Sequence, residues 1–387
     1  MLHSRELIRK VDPDRVADLT SRLVRRYTSN PPGDERAVVP TLLDELEAIG
    51  CEVEVVGPHD SRPSILARYR GGGSKTLAVN GHLDVVPVVR EAWRVDPFSG
   101  IRSDGKVFGR GACDTKGGIA AAIEALRVLR ESATIPACDI ELQLVADEET
   151  GSEYGAKWLA GKGYLTADAC VVVEPTDLNV GVAERGTLLA SIEVTGKGGH
   201  GSEPASGDSE VAGAAQIVTA LHLREFDGRP HPYLGKPTCN VGTIRGGTAP
   251  NIIADSCTVT IDRRVLPGTT QSEALTEIGA IIDALRPAVS YRITPVAFVE
   301  SSEISDEDPF VRAMWHIARE IIPGASLFGS ALGSDARILR NRLRVPTVVF
   351  GPGSPGQAHS SDEWVGVDQL INAARVFAAL FTTFGNS

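Results

Sequence analysis

The sequence predicts an α/β protein: a catalytic domain with a mainly parallel sheet and flanking helices, into which a smaller α+β domain is inserted. Three observations predict it. Short apolar runs alternate with amphipathic runs through the first part of the chain, the pattern of strands joined by crossover helices. From about Val182 the texture changes to alternating strands around two helical runs. After "YRITPVAFVE" the first pattern resumes. The expected division is 1–181 for the first part of the catalytic domain, 182–297 for the insert and 298–387 for the second part.

Taken in order, "MLHSRELIRKVDPDRVADL" alternates charge and apolar residues like an amphipathic helix, and "RAVVPTLLDELEAIG" reads as a second. "SKTLAVNGHLD" reads as strand and loop, "GGIAAAIEALRVLRE" as helix, and "DIELQLVADEE" and "ADACVVVEP" as strands. The insert has strands in "TLLASIEVTG" and "SCTVTIDRRV" and helices in "SEVAGAAQIVTALHL" and "SEALTEIGAIIDALR". "DPFVRAMWHIAREI", "RVPTVVFGPG" and "VDQLINAARVFAALF" then complete the helix and strand alternation.

A chain of 387 residues suggests about two or three domains at roughly 100 to 200 residues each. Hydrophobic residues at 42% and charged residues at 23% are ordinary for a globular protein. The net charge of −11 and the lack of a basic run argue against nucleic acid as a partner. No run approaches the ~18 apolar residues of a membrane helix, and the N-terminus lacks the apolar centre of a signal peptide, so a cytoplasmic protein with no membrane partner is expected. Cys51, Cys113, Cys138, Cys170, Cys239 and Cys257 are scattered without a CxxC, which fits reduced thiols better than disulfides or a thiolate metal site.

The chemistry lies where strands end. Ligands in parallel sheets gather beyond the carboxyl ends of the strands. His82 and Asp84 follow "TLAVNG", Asp147, Glu148 and Glu149 follow "LQLVA", and Glu174 follows "ACVVV". Asp114 in "GRGACDTKGG" and His359 in "GPGSPGQAHSSDEW" stand beside similar glycine and proline punctuation. Histidines and carboxylates without thiolates suit divalent zinc, cobalt or manganese. His3, His59, His222, His231 and His316 match no such pattern and read as surface or packing residues.

These segments, with "W-x-x-D-P-F" (Trp93 to Phe98), "DRRVLPG" and "GPG…AHSSDE", resemble the signatures of the zinc aminoacylase and carboxypeptidase G superfamily. That superfamily includes acetylornithine deacetylase and succinyl-diaminopimelate desuccinylase. The resemblance implies two zinc ions, with cobalt able to substitute: His82 and Glu174 on one, Glu149 and His359 on the other, and Asp114 bridging both. It implies that Asp84 fixes the His82 tautomer through its carboxylate. Adjacent side chains in extended backbone diverge, so Glu149 is expected to bind metal while Glu148 serves as general base; Asp147 receives only a loop role.

The insert would be the dimerisation, or lid, domain of a homodimer. In "GKGGHGSEP" His200 matches the histidine that steadies the oxyanion from the partner subunit, and Arg264 and Asn251 match contacts to the substrate's α-carboxylate side. Arg263 reads as a structural charge, although a shift of one residue would exchange it with Arg264. Gly333 and Ser334 in "ALGSDARIL" match a second carboxylate loop; Ser334 also reads as a simple helix cap. Two departures from the desuccinylase pattern, Glu184 in "VAERGT" and Glu203 in "HGSEP", are expected to put negative charge near the substrate mouth and favour a cationic amine over a succinyl tail. The function implied is an amidohydrolase acting on a small N-acyl amino acid, most like acetylornithine deacetylase. A carboxypeptidase, dipeptidase or desuccinylase on the same scaffold is the alternative. A catalytically silent binding protein would have lost a ligand or the base, and each expected residue is present.

Overall fold

The computed structural model describes residues 6–286 and 289–385; residues 1–5, His3 among them, lie outside the described residues. By the density of contacts the chain divides into two units, Met1–Val182 with Ile304–Phe328 and Ser334–Ser387, and Ala183–Glu303 with Gly329–Gly333. The second unit runs past residue 297 because its last long strand continues to Val299 and the short strand Ser302–Glu303 pairs back onto Ala183 and Glu184.

In the first unit the N-terminal helical pattern is broken in two. A short turn at residues 6–8 precedes the helix Pro13–Val24. Asp12 sets the break: its carboxylate accepts the N–H of Asp14 at 2.9 Å and of Arg15 at 3.2 Å. Proline at the first helical position has no N–H to leave unpaired.

The sheet of this unit has the order Glu52–Val56, Ser64–Tyr69, Asp139–Val145, Thr76–His82, Ala169–Val172, Thr347–Val349 and then the start of Val180–Glu184. The strands from Asp139–Val145 to Thr347–Val349 run parallel, and the outer ones are antiparallel. Thr76–His82 and Asp139–Val145 are buried along nearly their whole length, as strands covered on both faces are. Helices Pro13–Val24, Gly117–Glu131 and Val367–Thr383 pack together beside it, and Leu159 and Leu339 pack with Ala78 and Val172. Gly118 lets the helix start lie against the sheet, since a Cβ there would fall 2.8 Å from Val173.

Strand register decides where the chemistry goes. His82 pairs with Val145 and Asn80 with Val172, so the segments that follow Val145 and Val172 leave the sheet at the edge where His82 stands.

The second unit is an antiparallel sheet in the order Thr238–Gly246, Ser256–Val265, Gly186–Thr195, Ser290–Val299. Its burial alternates residue by residue, and the inward side chains, Leu188, Ile192, Val259 and Ile261, pack with Ile217 and Leu221 of helix Glu210–Leu221 and Ile278 and Ile282 of helix Gln271–Ala284. The same alternation separates two neighbouring arginines. Arg263 points inward, 2% exposed, with its guanidinium 3.4 Å from the centre of the Phe226 ring and 2.7 Å from Glu277. Arg264 points outward and pairs with Asp262 at 2.9 Å. Arg263→Ala is therefore expected to lower stability in urea by about 2 kcal/mol through lost packing and pairing, and Arg264→Ala by less than about 1 kcal/mol. Equal shifts of the two urea midpoints would contradict this division.

Candidate metal centre

His82 ends a buried strand and is held from both sides of its backbone: its N–H donates to the Thr115 hydroxyl at 3.2 Å, and that hydroxyl donates to the His82 carbonyl at 3.1 Å. The ring is fixed by Nδ1, 2.9 Å from the main-chain carbonyl of Asp84. A carbonyl can only accept, so Nδ1 carries a proton, and in the neutral ring Nε2 presents a lone pair. Here the structure differs from the sequence expectation. The Asp84 carboxylate is 3.6 Å from Nδ1 and has other work: Oδ1 accepts the N–H of Glu148 and Oδ2 the N–H of Glu149, both at 3.1 Å.

Those two N–H groups belong to a short 3₁₀ turn, Glu148–Thr150, which begins after Asp147 in the left-handed region at φ 66°. The backbone is thus a tight helical turn and not extended. The two side chains still diverge, because successive residues of such a turn are rotated by about a third of a revolution. Glu148 Oε1 lies 3.7 Å from Arg337 Nη1, whereas Glu149 Oε2 lies 3.1 Å from His359 Nε2. Asp147 ties the loop together by accepting from Tyr154 N–H at 2.9 Å and Arg62 Nη2 at 2.6 Å.

Asp114 stands between two imidazoles. Its Oδ1 is 2.9 Å from His82 Nε2 and its Oδ2 is 3.3 Å from His359 Nε2. Glu174 Oε1 is 3.7 Å from His82 Nε2. Asp114 is positioned by a residue absent from the expected site, Glu363, which accepts the N–H of Cys113 at 2.9 Å and of Asp114 at 3.2 Å. Glu363 is fully buried and pairs with Arg110 at 2.6 Å, and Arg110 also donates to the His359 carbonyl at 3.3 Å. Both residues lie inside quoted motifs, "GRGACD" and "AHSSDE"; charged residues within them were the available signal. Cys113 turns its thiol to the Ser354 carbonyl at 3.4 Å and is not among the donors.

Burial raises the carboxyl pKa of Glu148 and Glu174 well above the usual range and that of Glu149 upward; Asp114 adds its repulsion at Glu149 and Glu174. Asp114 is depressed in spite of its burial, by hydrogen bonds to His359 and His82. His359 is pushed up to about 10 by Asp114 and then Glu149. Against its burial, the hydrogen bond to Asp114 and the charge of Glu174 raise the His82 pKa well above the usual imidazole range, so the ring holds a proton toward Asp114, in a place that a metal ion can take instead. One donor atom each from His82, Asp114 and Glu149 lies within 4.8 Å of the others. The oxygen and nitrogen donor set, with a carboxylate offering one oxygen to each histidine, fits divalent metal ions.

Ser334 belongs to this unit; its hydroxyl accepts the Ala336 N–H at 3.2 Å, while the N-cap position of the short helix Ala336–Ile338 is Asp335. The remaining expected site residues lie in the second unit. His200 and Asn251 come together there: His200 pairs with Ile252 across a short ladder, and Gly201 N–H donates to the Asn251 carbonyl at 2.8 Å. Ser202 N–H donates to His200 Nδ1 at 3.2 Å, which leaves the proton of a neutral ring on Nε2. Arg264 reaches the Ala331 carbonyl, two residues before Gly333, at 3.4 Å. Glu203 is exposed, but Glu184 is not a charge at an open mouth: it is buried and accepts from the Ser302 hydroxyl at 3.0 Å.

Residues 78–383 match the model of peptidase family M20/M25/M40. An acetylornithine deacetylase of Proteus mirabilis is 31% identical over 371 residues, covering 90% of each chain. A probable succinyl-diaminopimelate desuccinylase of Staphylococcus aureus is 28% identical, over 93% of this chain and 95% of the relative. Among solved structures, a dinuclear metal-binding M20 peptidase of Bacillus subtilis superimposes with a TM-score of 0.73 at 16% identity, over 97% of this chain and 98% of that one. The chain is a hydrolase of amide bonds, and it belongs to peptidase family M20/M25/M40.

Proposed function

We propose that this protein removes the acyl group from a small N-acyl amino acid, most like acetylornithine, with two zinc ions, or cobalt in their place, held by His82, Asp114, Glu149, Glu174 and His359. The observation that carries this reading is Asp114, whose two carboxylate oxygens face two different histidines, with Glu174 beside one and Glu149 beside the other. When bound, such ions supply Lewis acidity to the scissile carbonyl and lower the pKa of water.

The chain supplies the rest. Glu148, turned away from His359 and toward Arg337, takes the proton of the attacking water and delivers it to the leaving amine nitrogen. Burial keeps its basicity high, as a base that must later act as an acid requires. His200, with its Nε2–H as donor, steadies the tetrahedral oxyanion from the partner subunit. Arg264, braced by Asp262 on Nε and Nη2, offers N–H groups to the substrate carboxylate, with Asn251, Gly333 and Ser334 as further contacts.

A homodimer is supported by the outer strand Thr238–Gly246, which is exposed along most of its length and presents Ile244 to solvent. Glu203, exposed three residues after His200, supports a cationic substrate. The peptidase neighbour favours the second reading, a dipeptidase or carboxypeptidase, since the same machinery cleaves any amide beside a captured carboxylate. Among the described residues no helix is long and apolar enough to cross a membrane.

Chelation is expected to abolish hydrolysis until zinc or cobalt returns. Glu148→Ala should keep its metal and lose about 10²- to 10⁴-fold in kcat, whereas Glu149→Ala should lose metal; metal analysis beside a hydrolysis assay checks both, and full activity in metal-free protein would sink the mechanism. Mixed dimers of His200→Ala and Glu148→Ala chains should recover part of the activity, because one of the two sites is then built from intact parts. No recovery in verified mixed dimers would assign His200 to its own subunit or to no catalytic role. For the substrate, N-acetylornithine should show a higher kcat/KM than N-succinyl-diaminopimelate or neutral N-acetyl amino acids. Glu203→Gln should reduce the preference for the cationic substrate, and an unchanged ratio removes Glu203 from the argument.

A further inference from the structure

The stretch "TSNPPGDE", Thr28–Glu35, carries no expected site residue, yet it lies against the turn that holds Glu148 and Glu149. Its backbone is docked beside the His82 loop: Asn30 N–H donates to the Val85 carbonyl at 2.8 Å, and Val85 N–H to the Thr28 carbonyl at 3.1 Å. The Asn30 side chain is buried among acids. Its Nδ2 lies 2.8 Å from Asp84 Oδ2, 3.1 Å from Asp147 Oδ1 and 2.9 Å from the Thr150 hydroxyl. Asn30 therefore touches the carboxylate that fixes the N–H groups of Glu148 and Glu149, and also both ends of the turn containing them.

A single cation backs this contact. Arg62, 5% exposed, donates through Nη1 to Asn30 Oδ1 at 3.4 Å and through Nη2 to Asp147 Oδ1 at 2.6 Å. Gly33 makes the room: a Cβ there would fall 1.1 Å from Arg62 Nη1, and its φ of +81° suits glycine. Glu35, fully buried, lies 3.3 Å from Arg62 Nη2. Its carboxyl is pushed up to about 8 by burial and then by the charge of Asp84, and the closer partner of Arg62 Nη2 is Asp147.

We propose that Asn30 is a positioning residue for the catalytic turn: by bridging Asp84, Asp147 and Thr150, with Arg62 as its support, it sets the backbone from which Glu148 and Glu149 diverge. The proposal rests on the roles given above to Glu148 and Glu149. It differs from ordinary packing in one respect, that removing the amide must disturb metal binding and turnover more than it disturbs folding.

The test uses the full-length chain. In Asn30→Ala, zinc titrated into metal-free protein and followed by calorimetry should bind about 10- to 100-fold more weakly at one site, and kcat for N-acetylornithine should fall by a similar factor with KM little changed, the range found when partners of metal ligands are removed. The control is Thr28→Val, which deletes a buried hydrogen bond to the Leu83 carbonyl, 2.7 Å in the native chain, without touching Asp84. It should bind zinc and turn over like the wild type at a comparable urea midpoint. Unchanged zinc affinity in Asn30→Ala, or equal losses in Thr28→Val, overturns the proposal. If Asn30→Ala does not fold, Arg62→Lys, which keeps the charge but not the two-pronged contact, decides by the same titration: weaker zinc at one site supports the proposal and wild-type affinity overturns it. A wild-type protein that binds zinc but cleaves no N-acyl amino acid would refute the functional reading alone, and the zinc titration would still judge Asn30.

Discussion

The constraint on which this molecule depends is the mutual repulsion of carboxylates buried together. Asp114, Glu148, Glu149 and Glu174 converge beyond the ends of parallel strands, and burial is the leading cause of the upward shift in three of them. A chain relieves such a cluster by protonating it, by pairing it or by binding cations. Pairing through His82 and His359 is partial, since Asp114, Glu149 and Glu174 share two imidazoles. A cation from outside the chain can supply the remaining relief, and that need is what makes the cluster a candidate metal centre.

Holding like charges close requires rigid anchors, and these are mostly backbone groups. The N–H groups of Glu148 and Glu149 are held by Asp84, those of Cys113 and Asp114 by Glu363, and the imidazole of His82 by a main-chain carbonyl. Each anchor is itself held by a buried partner, Asn30 for Asp84 and Arg110 for Glu363. Fixing backbone rather than side chains leaves the carboxylate oxygens of Asp114 and Glu149 to face the imidazoles and not the anchors. A carboxylate already saturated by protein donors would be a poor ligand.

The parts legible in the sequence were those with local causes. The helix Gly117–Glu131 and the strands around His82 and Val145 follow from apolar spacing over a few residues, and His82, Glu149 and Glu174 stand at or shortly after strand ends. Most of the anchors were not legible, because they are made across long separations: Arg110 meets Glu363 and Asn30 meets Asp147 from distant parts of the chain. Asp84 shows the limit most clearly. Its position two residues after His82 pointed to the imidazole, but the turn of the chain there brings its carbonyl to the ring and sends its carboxylate to another loop. The break at Asp12–Pro13 was not legible in the amphipathic pattern, which runs across it; the Asp12 cap that makes it is a local feature within that pattern.

The two units divide the chemistry by type. The first carries the acids and imidazoles that favour cations, in an environment set by parallel strands and their buried anchors. The second carries neutral and cationic donors, His200 with its proton on Nε2 and Arg264 with N–H groups beyond those used by Asp262, on an antiparallel sheet with a separate hydrophobic core. Its inward residues, Arg263 included, are committed to that core, whereas outward residues such as Arg264 and loop residues such as Glu203 can vary without cost to packing. Outward side chains of the second unit can therefore change while the acid cluster of the first stays as its repulsion and its anchors require. On this fold the acid cluster is the more constrained feature, and the outward side chains of the second unit are the less constrained ones.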